Sequence, residues 1–531
     1  MVLEPGYAPS ARQMKSIRPL LRSVLLLAIL CLGLALRLMP WDQNRFLEDE
    51  ALYAYWGLQI ATGADPMLDE EPVDKPPLFP YTLALSYLLF SAPPDPSPGP
   101  GTAPTRAGHD AWQPTESPAR LPSLLASLAG IALLFALGRA LYKDDRVGLL
   151  AALLLALSPF DILFASTAFT DPLMTAFVLG ALLAAAGRRL AIAGLLAGLA
   201  AATKQQGLLF LPLVAILGLY ATVDRPRWSN RTWTSWLGFG LGFVAVAAGV
   251  LWWDSARLQE PGFWEQGLVS YGGLGPAQPQ GLIQRAVAWL QLVGSFWPSA
   301  WFNTLLLCAI PLWLIGSLFV RRIPRPGRFD LLLSIFVAGY LLLHWLVRFQ
   351  IWDRYLLPMV PLVALLAARA FISLGDALPG GTWQRLYTAL LDIVIIASLF
   401  GPLAMTTRSE LPLGGDHGAY DGIDEIAAYM RVQAPPDSVL YHYWLGYHHR
   451  FYLYGAPLRL HWYPDLDDLT NDSFVYRREP RYIAMPSWRD STPAAAALDE
   501  AGVTLELVHE TTRRDGTVSF RLYRLEGPDV P

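Results

Sequence analysis

RQMKSIRPLLRSVLLLAILCLGLALRLMPWDQNRFLEDEALYAYWGLQIATG, residues 12–63, contains the reading from which the rest follows. Arg12, Lys15, Arg18 and Arg22 precede an apolar run from Val24 to Leu36, and the acidic pair Asp49 and Glu50 comes after it. Basic residues collect on the cytoplasmic side of a bilayer, so the run reads as a first spanning helix with its N-terminus inside. A signal peptide is the competing reading, but Arg37, Leu38, Met39, Pro40 and Trp41 offer no small-residue cleavage site.

Working outward, composition supports embedding. Of 531 residues 53% are hydrophobic and only 16% charged, where soluble chains carry about 25% charged. The charge is uneven: 31 of the 84 charged residues lie in the 126 positions from Thr406 onward. A membrane part, 1–405, therefore precedes a soluble part, 406–531. These features exclude a cytosolic enzyme and a disordered chain. A net charge of −4 also leaves no basic surface for a nucleic acid. Cys31 and Cys308 both sit in apolar runs, which argues against a disulfide framework or a thiolate metal site.

Segments long enough for the hydrocarbon core, alternated by the positions of Lys and Arg, predict about eleven transmembrane helices. The class is a polytopic α-helical membrane protein with a small C-terminal α/β domain outside. Residues 41–119 form a long outer loop with interfacial helices, and 91–117 are a Pro/Gly-rich insertion expected to be mobile. In the tail, Ser438–Tyr443, Leu458–Trp462 and Tyr482–Met485 pattern as strands and Gly422–Val432 and Pro493–Ala501 as helices. Two further β-patterned runs flank the turn residues Asp515 and Gly516.

This path puts Asp49, Glu50, Lys75, Asp171, Lys204, Arg257, Arg348, Asp353 and Arg354 at outer helix ends or in outer loops, where one site can hold them. Each also has a plain structural reading. Asp49 and Glu50 fit a helix cap, as does Asp171 before Pro172. Lys75, ahead of Pro76 and Pro77, fits a snorkelling side chain, and Asp353 and Arg354 can pair with each other. Lys204 is harder to dismiss. The run 190–203 has only 14 residues, about 21 Å as a helix, so its ammonium lies below the surface and needs a partner.

Together the strings DEALYAYWGLQIATG, DKPPLFPYTLALSYLLF, ARLPSLLASLAGIALLFALGRALY, ALSPFDILFASTAFTDP, GLAAATKQQG and DRYLLPMVPLVALLAA resemble the C-fold (GT-C) membrane glycosyltransferases, families 39 and 83 in particular. Those include protein O-mannosyltransferases and the aminoarabinose transferase that modifies lipid A. The resemblance covers roughly residues 30–375. It implies a plasma-membrane enzyme that takes a sugar from a polyprenyl-phosphate donor at the outer face and passes it to a lipid, glycan or protein acceptor. By similarity Asp49 is the catalytic acid-base residue with Glu50 beside it, Asp171 lines the site, and Lys75, Lys204, Arg354 and Tyr355 bind the donor phosphate. One departure stands out: Leu52 occupies a position where the aminoarabinose enzymes carry arginine.

Those residue types suit the chemistry. A departing phosphate gains charge that fixed cations stabilise in a dry pocket, and an acceptor hydroxyl needs a carboxylate to take its proton. One base opposite the leaving group gives inversion; retention would need a second carboxylate as nucleophile, for which Asp171 is the candidate. No diphosphate is released, so neither a metal nor another cofactor is expected. The competing functions are a lipid-linked sugar flippase, a diphosphate-dependent glycan ligase, and a receptor using the tail. His442, Tyr447, His448, His449 and Arg450 would serve that receptor, or are ordinary packing.

Overall fold

The computed structural model describes residues 18–91, 114–223, 230–257, 261–270, 273, 275–399 and 402–527. Each of the eleven runs expected to span is helical, but not every one is a full span. Among the described residues seven helices are long and apolar enough to cross a membrane: Pro19–Leu38, Glu116–Tyr142, Gln205–Thr222, Thr232–Ala256, Ala300–Phe319, Arg328–Leu346 and Met359–Ala377. An eighth is broken. Asp145–Ala156 and Pro159–Ala165 meet at 58°, where Ser158 gives its hydroxyl to the Phe296 carbonyl instead of continuing the helix. Beside the break, buried Arg37 donates to the Asp161 carboxylate and, at 2.6 Å, to the Ser127 hydroxyl. A buried charge in a bundle needs such a partner.

Thr170–Ala186 and Leu190–Thr203 are apolar but short. They are accommodated by close packing: Gly194 and Gly198 face the helix Asn230–Ala256, and a methyl group on Gly194 would overlap the Phe239 carbonyl. Small residues four apart let two backbones approach where apolar side chains would hold them off. The last expected span, 386–405, falls on Thr382–Leu399 and Pro402–Thr407; the longer helix carries Arg385 and Asp392 and is not among the long apolar helices. The Pro/Gly-rich insertion lies mostly outside the described residues, and its far boundary is earlier than 117 because a helix begins at Glu116.

In the tail, β1 (Val439–His442), β2 (Arg459–Trp462), β3 (Arg481–Pro486), β4 (Thr504–Thr512) and β5 (Val518–Glu526) form one sheet in the order β2-β1-β3-β5-β4. β1 pairs parallel with both β2 and β3, while β5 runs antiparallel to β3 and β4. The patterning missed two short helices here, Gly446–Tyr452 and Leu466–Val475.

The domain docks on the loops between the early helices. Nε2 of His448 approaches the Phe46 carbonyl at 2.8 Å, Arg450 pairs with Glu71 at 2.9 Å, and the Tyr452 hydroxyl donates to Glu116. His442, His448 and His449 are buried. This cluster is packing between the domain and the membrane part, not an exposed ligand surface.

Candidate functional site

The acidic pair after the first helix divides its work. Leu47 is extended and the helix Glu48–Thr62 begins behind it. Glu50 turns inward, where one carboxylate oxygen accepts the Leu47 N–H at 3.0 Å and the other the Ala168 N–H at 2.7 Å. It is 1% exposed. Glu50 therefore caps its own helix and ties it to the turn after Pro159–Ala165, and it is not among the residues that line the cavity at Asp49. Asp49 points the other way. Its side chain is 39% exposed, lines a cavity of about 890 Å³, and meets Arg354 Nη1 at 2.6 Å.

Burial pushes the Glu50 carboxyl from 4.5 up to about 7, against the pull of Arg120 and the two backbone donors. The folded state thus holds this proton more tightly than the unfolded chain. Glu50's contribution to stability is fully present below about pH 4.5 and is lost as pH rises through about 7. Glu50→Gln is expected to flatten the fall in thermal unfolding temperature across that window; an unchanged slope would contradict the assignment.

Arg354 lies in the 3-10 turn Asp353–Leu356. The Asp353 carboxylate accepts the backbone N–H of Arg354 at 2.7 Å and of Gly414 at 2.9 Å. The Gly414 contact also pins the chain entering the C-terminal domain over the cavity. Phe169 and Trp352 provide aromatic surfaces 4.8 and 5.2 Å from the guanidinium, so Arg354 is oriented on its flanks as well as by Asp49.

Lys204 ends the helix Leu190–Thr203 in an extended conformation, which turns its side chain into the bundle. Its ammonium meets the Asp171 carboxylate at 2.6 Å and stands 4.8 Å from the Tyr355 ring. Asp171 is fully buried. It accepts from Lys204 and from the Thr170 hydroxyl at 3.2 Å, so it holds a cation instead of presenting a free carboxylate or serving as a cap. Asp171→Asn leaves that ammonium buried without its counter-ion, a loss of about 3–5 kcal/mol. A marked drop in the folded yield and melting temperature of purified protein is the expected reading.

Lys75 is 3% exposed and is not a snorkelling side chain. Asp74 pairs with it at 2.5 Å and the Tyr53 ring centre lies 5.8 Å away. The prolines that follow start the helix Leu78–Phe90 and fix this backbone. Arg354, Lys75 and Lys204 all act electrostatically on Asp49. Burial by itself would raise the Asp49 carboxyl, and Arg354 first, then Lys75, hold it below the usual range.

Arg354 pairs with Asp49 directly, and Lys75 and Lys204 add their charge to the same carboxylate. The 890 Å³ cavity is walled by Phe169, Trp352, Arg354, Trp444 and the segment Pro412–Gly415. A separate groove of about 270 Å³ is headed by Lys204 and Tyr355 and walled by apolar Leu208, Leu209, Trp264, Leu268 and Phe349. Arg257 and Arg348, expected nearby, are not part of this group. Arg257 donates to the Leu68 and Glu71 carbonyls, and Arg348 is exposed, its backbone bonded to Gly275. Phe169, Trp352 and Tyr53 escaped the sequence reading because no charge or spacing marks them. Asp74, adjacent to Lys75, was open to being read as its partner.

Comparison with known proteins agrees with this architecture. The family described as dolichyl-phosphate-mannose-protein mannosyltransferase matches residues 109–253. The crystal structure of ArnT from Cupriavidus metallidurans bound to undecaprenyl phosphate superposes with a TM-score of 0.59 at 17% identity, covering 96% of this chain and 98% of that one. This is a membrane protein with the GT-C glycosyltransferase fold. The archaeal oligosaccharyltransferase AglB from Archaeoglobus fulgidus, in complex with an inhibitory peptide and a dolichol-phosphate, shares the fold at a TM-score of 0.51 and 14% identity, over 96% of this chain and 75% of that one. No curated protein matches the sequence. Within the GT-C fold, Asp49 and Arg354 line the cavity under the C-terminal domain, while Tyr355, next in the chain, lines the apolar groove with Lys204.

Proposed function

We propose that the protein transfers a sugar from a polyprenyl-phosphate-linked monosaccharide to an acceptor hydroxyl at the outer face of the plasma membrane, with inversion and with Asp49 as general base. The observation that carries this reading is the Arg354–Asp49 pair at the wall of a wide cavity, with the charges of Lys75 and Lys204 also acting on Asp49 and an apolar groove beginning at Lys204 and Tyr355. The groove suits a prenyl chain. Its head, at Lys204 and Tyr355, puts the carrier phosphate among three cations, which stabilise the charge that grows on the leaving group. Arg354 grips two phosphate oxygens; each lysine acts as a point charge.

Asp49 faces the cavity by which the acceptor arrives. In the free protein Arg354 holds Asp49 as a weak base. A donor phosphate competes for the same guanidinium, and its arrival releases the carboxylate to take the acceptor proton. The base thus gains strength only with donor in place. Asp171, committed to Lys204, is poorly disposed to act as a nucleophile, which favours single displacement.

The test is transfer from a synthetic polyprenyl-phosphate sugar by the purified protein, with membrane-extract lipids, glycans and proteins as acceptors and mass spectrometry as readout. Inverted configuration in the product is expected, and retention would overturn the single-displacement scheme. Because the leaving group is a monophosphate held by side-chain cations, excess EDTA is expected to leave the rate unchanged. A metal requirement would instead favour transfer from a diphosphate carrier.

A further inference from the structure

We propose that the C-terminal domain carries a glycan-binding site at the carboxyl ends of β1, β2 and β3, which holds a carbohydrate acceptor for transfer at Asp49; the acceptor role rests on the transferase reading, the binding site does not. The sheet order places β1 between β2 and β3, so the connections leave it in opposite directions. At such a point the loops after the strands part and open a crevice. Here the crevice is a cavity of about 250 Å³. Its walls are the residues that follow each strand: Tyr443 and Trp444 after β1, Tyr463 after β2, and Arg489 after β3.

The composition of those walls points to a sugar. Tyr443 and Tyr463 have ring centres 5.7 Å apart, and Tyr443 and Trp444 meet edge to face at 4.9 Å. Such rings offer apolar faces for the C–H face of a pyranose and polar atoms for its hydroxyls. The Arg489 guanidinium lies 4.0 Å from the Tyr443 ring centre and 5.6 Å from that of Trp444. It is exposed, and among the described residues its side chain shows cation–π contacts without an ion pair, leaving its donors for ligand hydroxyls. Asp465 and Asp490 also line the cavity; the Asp465 carboxylate accepts the Asp468 N–H and the Asp490 carboxylate the Thr492 N–H, each at 2.9 Å.

One side chain links this crevice to the catalytic cavity. Trp444 is 57% exposed and forms part of the wall of both. A glycan seated on Tyr443 and Tyr463 can therefore extend past Trp444 toward Asp49, which explains a large indole left open at the junction.

The test uses the full-length protein in nanodiscs on an array of oligosaccharides ending in mannose, glucose, galactose, N-acetylglucosamine or a uronic acid. Wild type is expected to bind at least one of these classes. Tyr443→Ala with Arg489→Ala should weaken that binding at least tenfold, Tyr443→Phe should retain it, and Asp49→Asn should bind like wild type without transferring. In transfer assays the double variant should raise the acceptor KM while kcat and the donor KM stay near wild type. No binding by wild type, or equal binding by the double variant, overturns the site. An unchanged acceptor KM overturns its acceptor role. Glycan binding lost in the double variant, in a protein that transfers nothing, would leave the site standing and remove the transferase reading.

Discussion

Asp49→Asn is expected to lower transfer by about 10³-fold or more, with insertion and thermal stability close to wild type and donor binding equal to wild type or tighter, because the phosphate no longer competes with a carboxylate for Arg354. General-base removal alone accounts for roughly 10²–10⁴ in rate. The fold should survive because the helix start depends on Glu50, whose carboxylate holds the Leu47 and Ala168 N–H groups, while Asp49 has no capping bond. Asparagine keeps the shape and an acceptor for Arg354 but has no useful basicity. Single-turnover transfer and donor binding, measured on the same preparation, check this. Transfer at a wild-type rate would remove Asp49 from the mechanism.

Arg354→Ala should cost transfer about 10²–10³-fold, the range for losing one preorganised donor to a developing negative charge. It should also weaken donor binding. Arg354→Lys should recover only part of the loss, since a point charge cannot grip two oxygens. A second signature separates this role from simple damage. In wild type Arg354 is the strongest influence holding the Asp49 carboxyl down against burial. Asp49 then stays deprotonated to below the ordinary carboxylate range, and kcat/KM should show no acid limb from it near neutrality. Without Arg354 the largest lowering influence is gone, the Asp49 pKa rises, and an acid limb should move up in pH. An unshifted pH profile in Arg354→Ala would show that the two groups do not couple in solution.

Lys75→Ala follows the same logic with a smaller effect. Lys75 acts on Asp49 less strongly than Arg354 does and already shares its charge with Asp74. Weaker donor binding, measured directly with a polyprenyl-phosphate sugar, is the expected outcome, and unchanged affinity would refute the phosphate contact.

The positions of the hydrophobic helices were legible because lipid imposes a demand that each segment meets alone: enough apolar residues, with every backbone group bonded within the helix. Short β-patterned runs bounded by turn residues are similarly local signals, and the three tail strands given ranges agree with β1, β2 and β3 to within a residue. Locality fails where neighbours decide. The apolar stretch 145–165, one of the expected spans, is two helices at 58°, because Ser158 finds Phe296 and Asp161 finds Arg37. Nothing within the run announces either partner.

The site divides along the same line. By itself the sequence determined which charged groups cannot stay in the hydrocarbon and must gather at helix ends, since ions are costly there whatever the fold. Only the tertiary structure decided that Glu50 caps while Asp49 faces Arg354, that Asp171 holds Lys204, and that Arg257 and Arg348 stay apart. Adjacent residues on a helix point about 100° apart, so one step along the chain separates a buried clamp from a cavity-facing base. Which step faces the cavity is set by the packing of helices far apart in sequence.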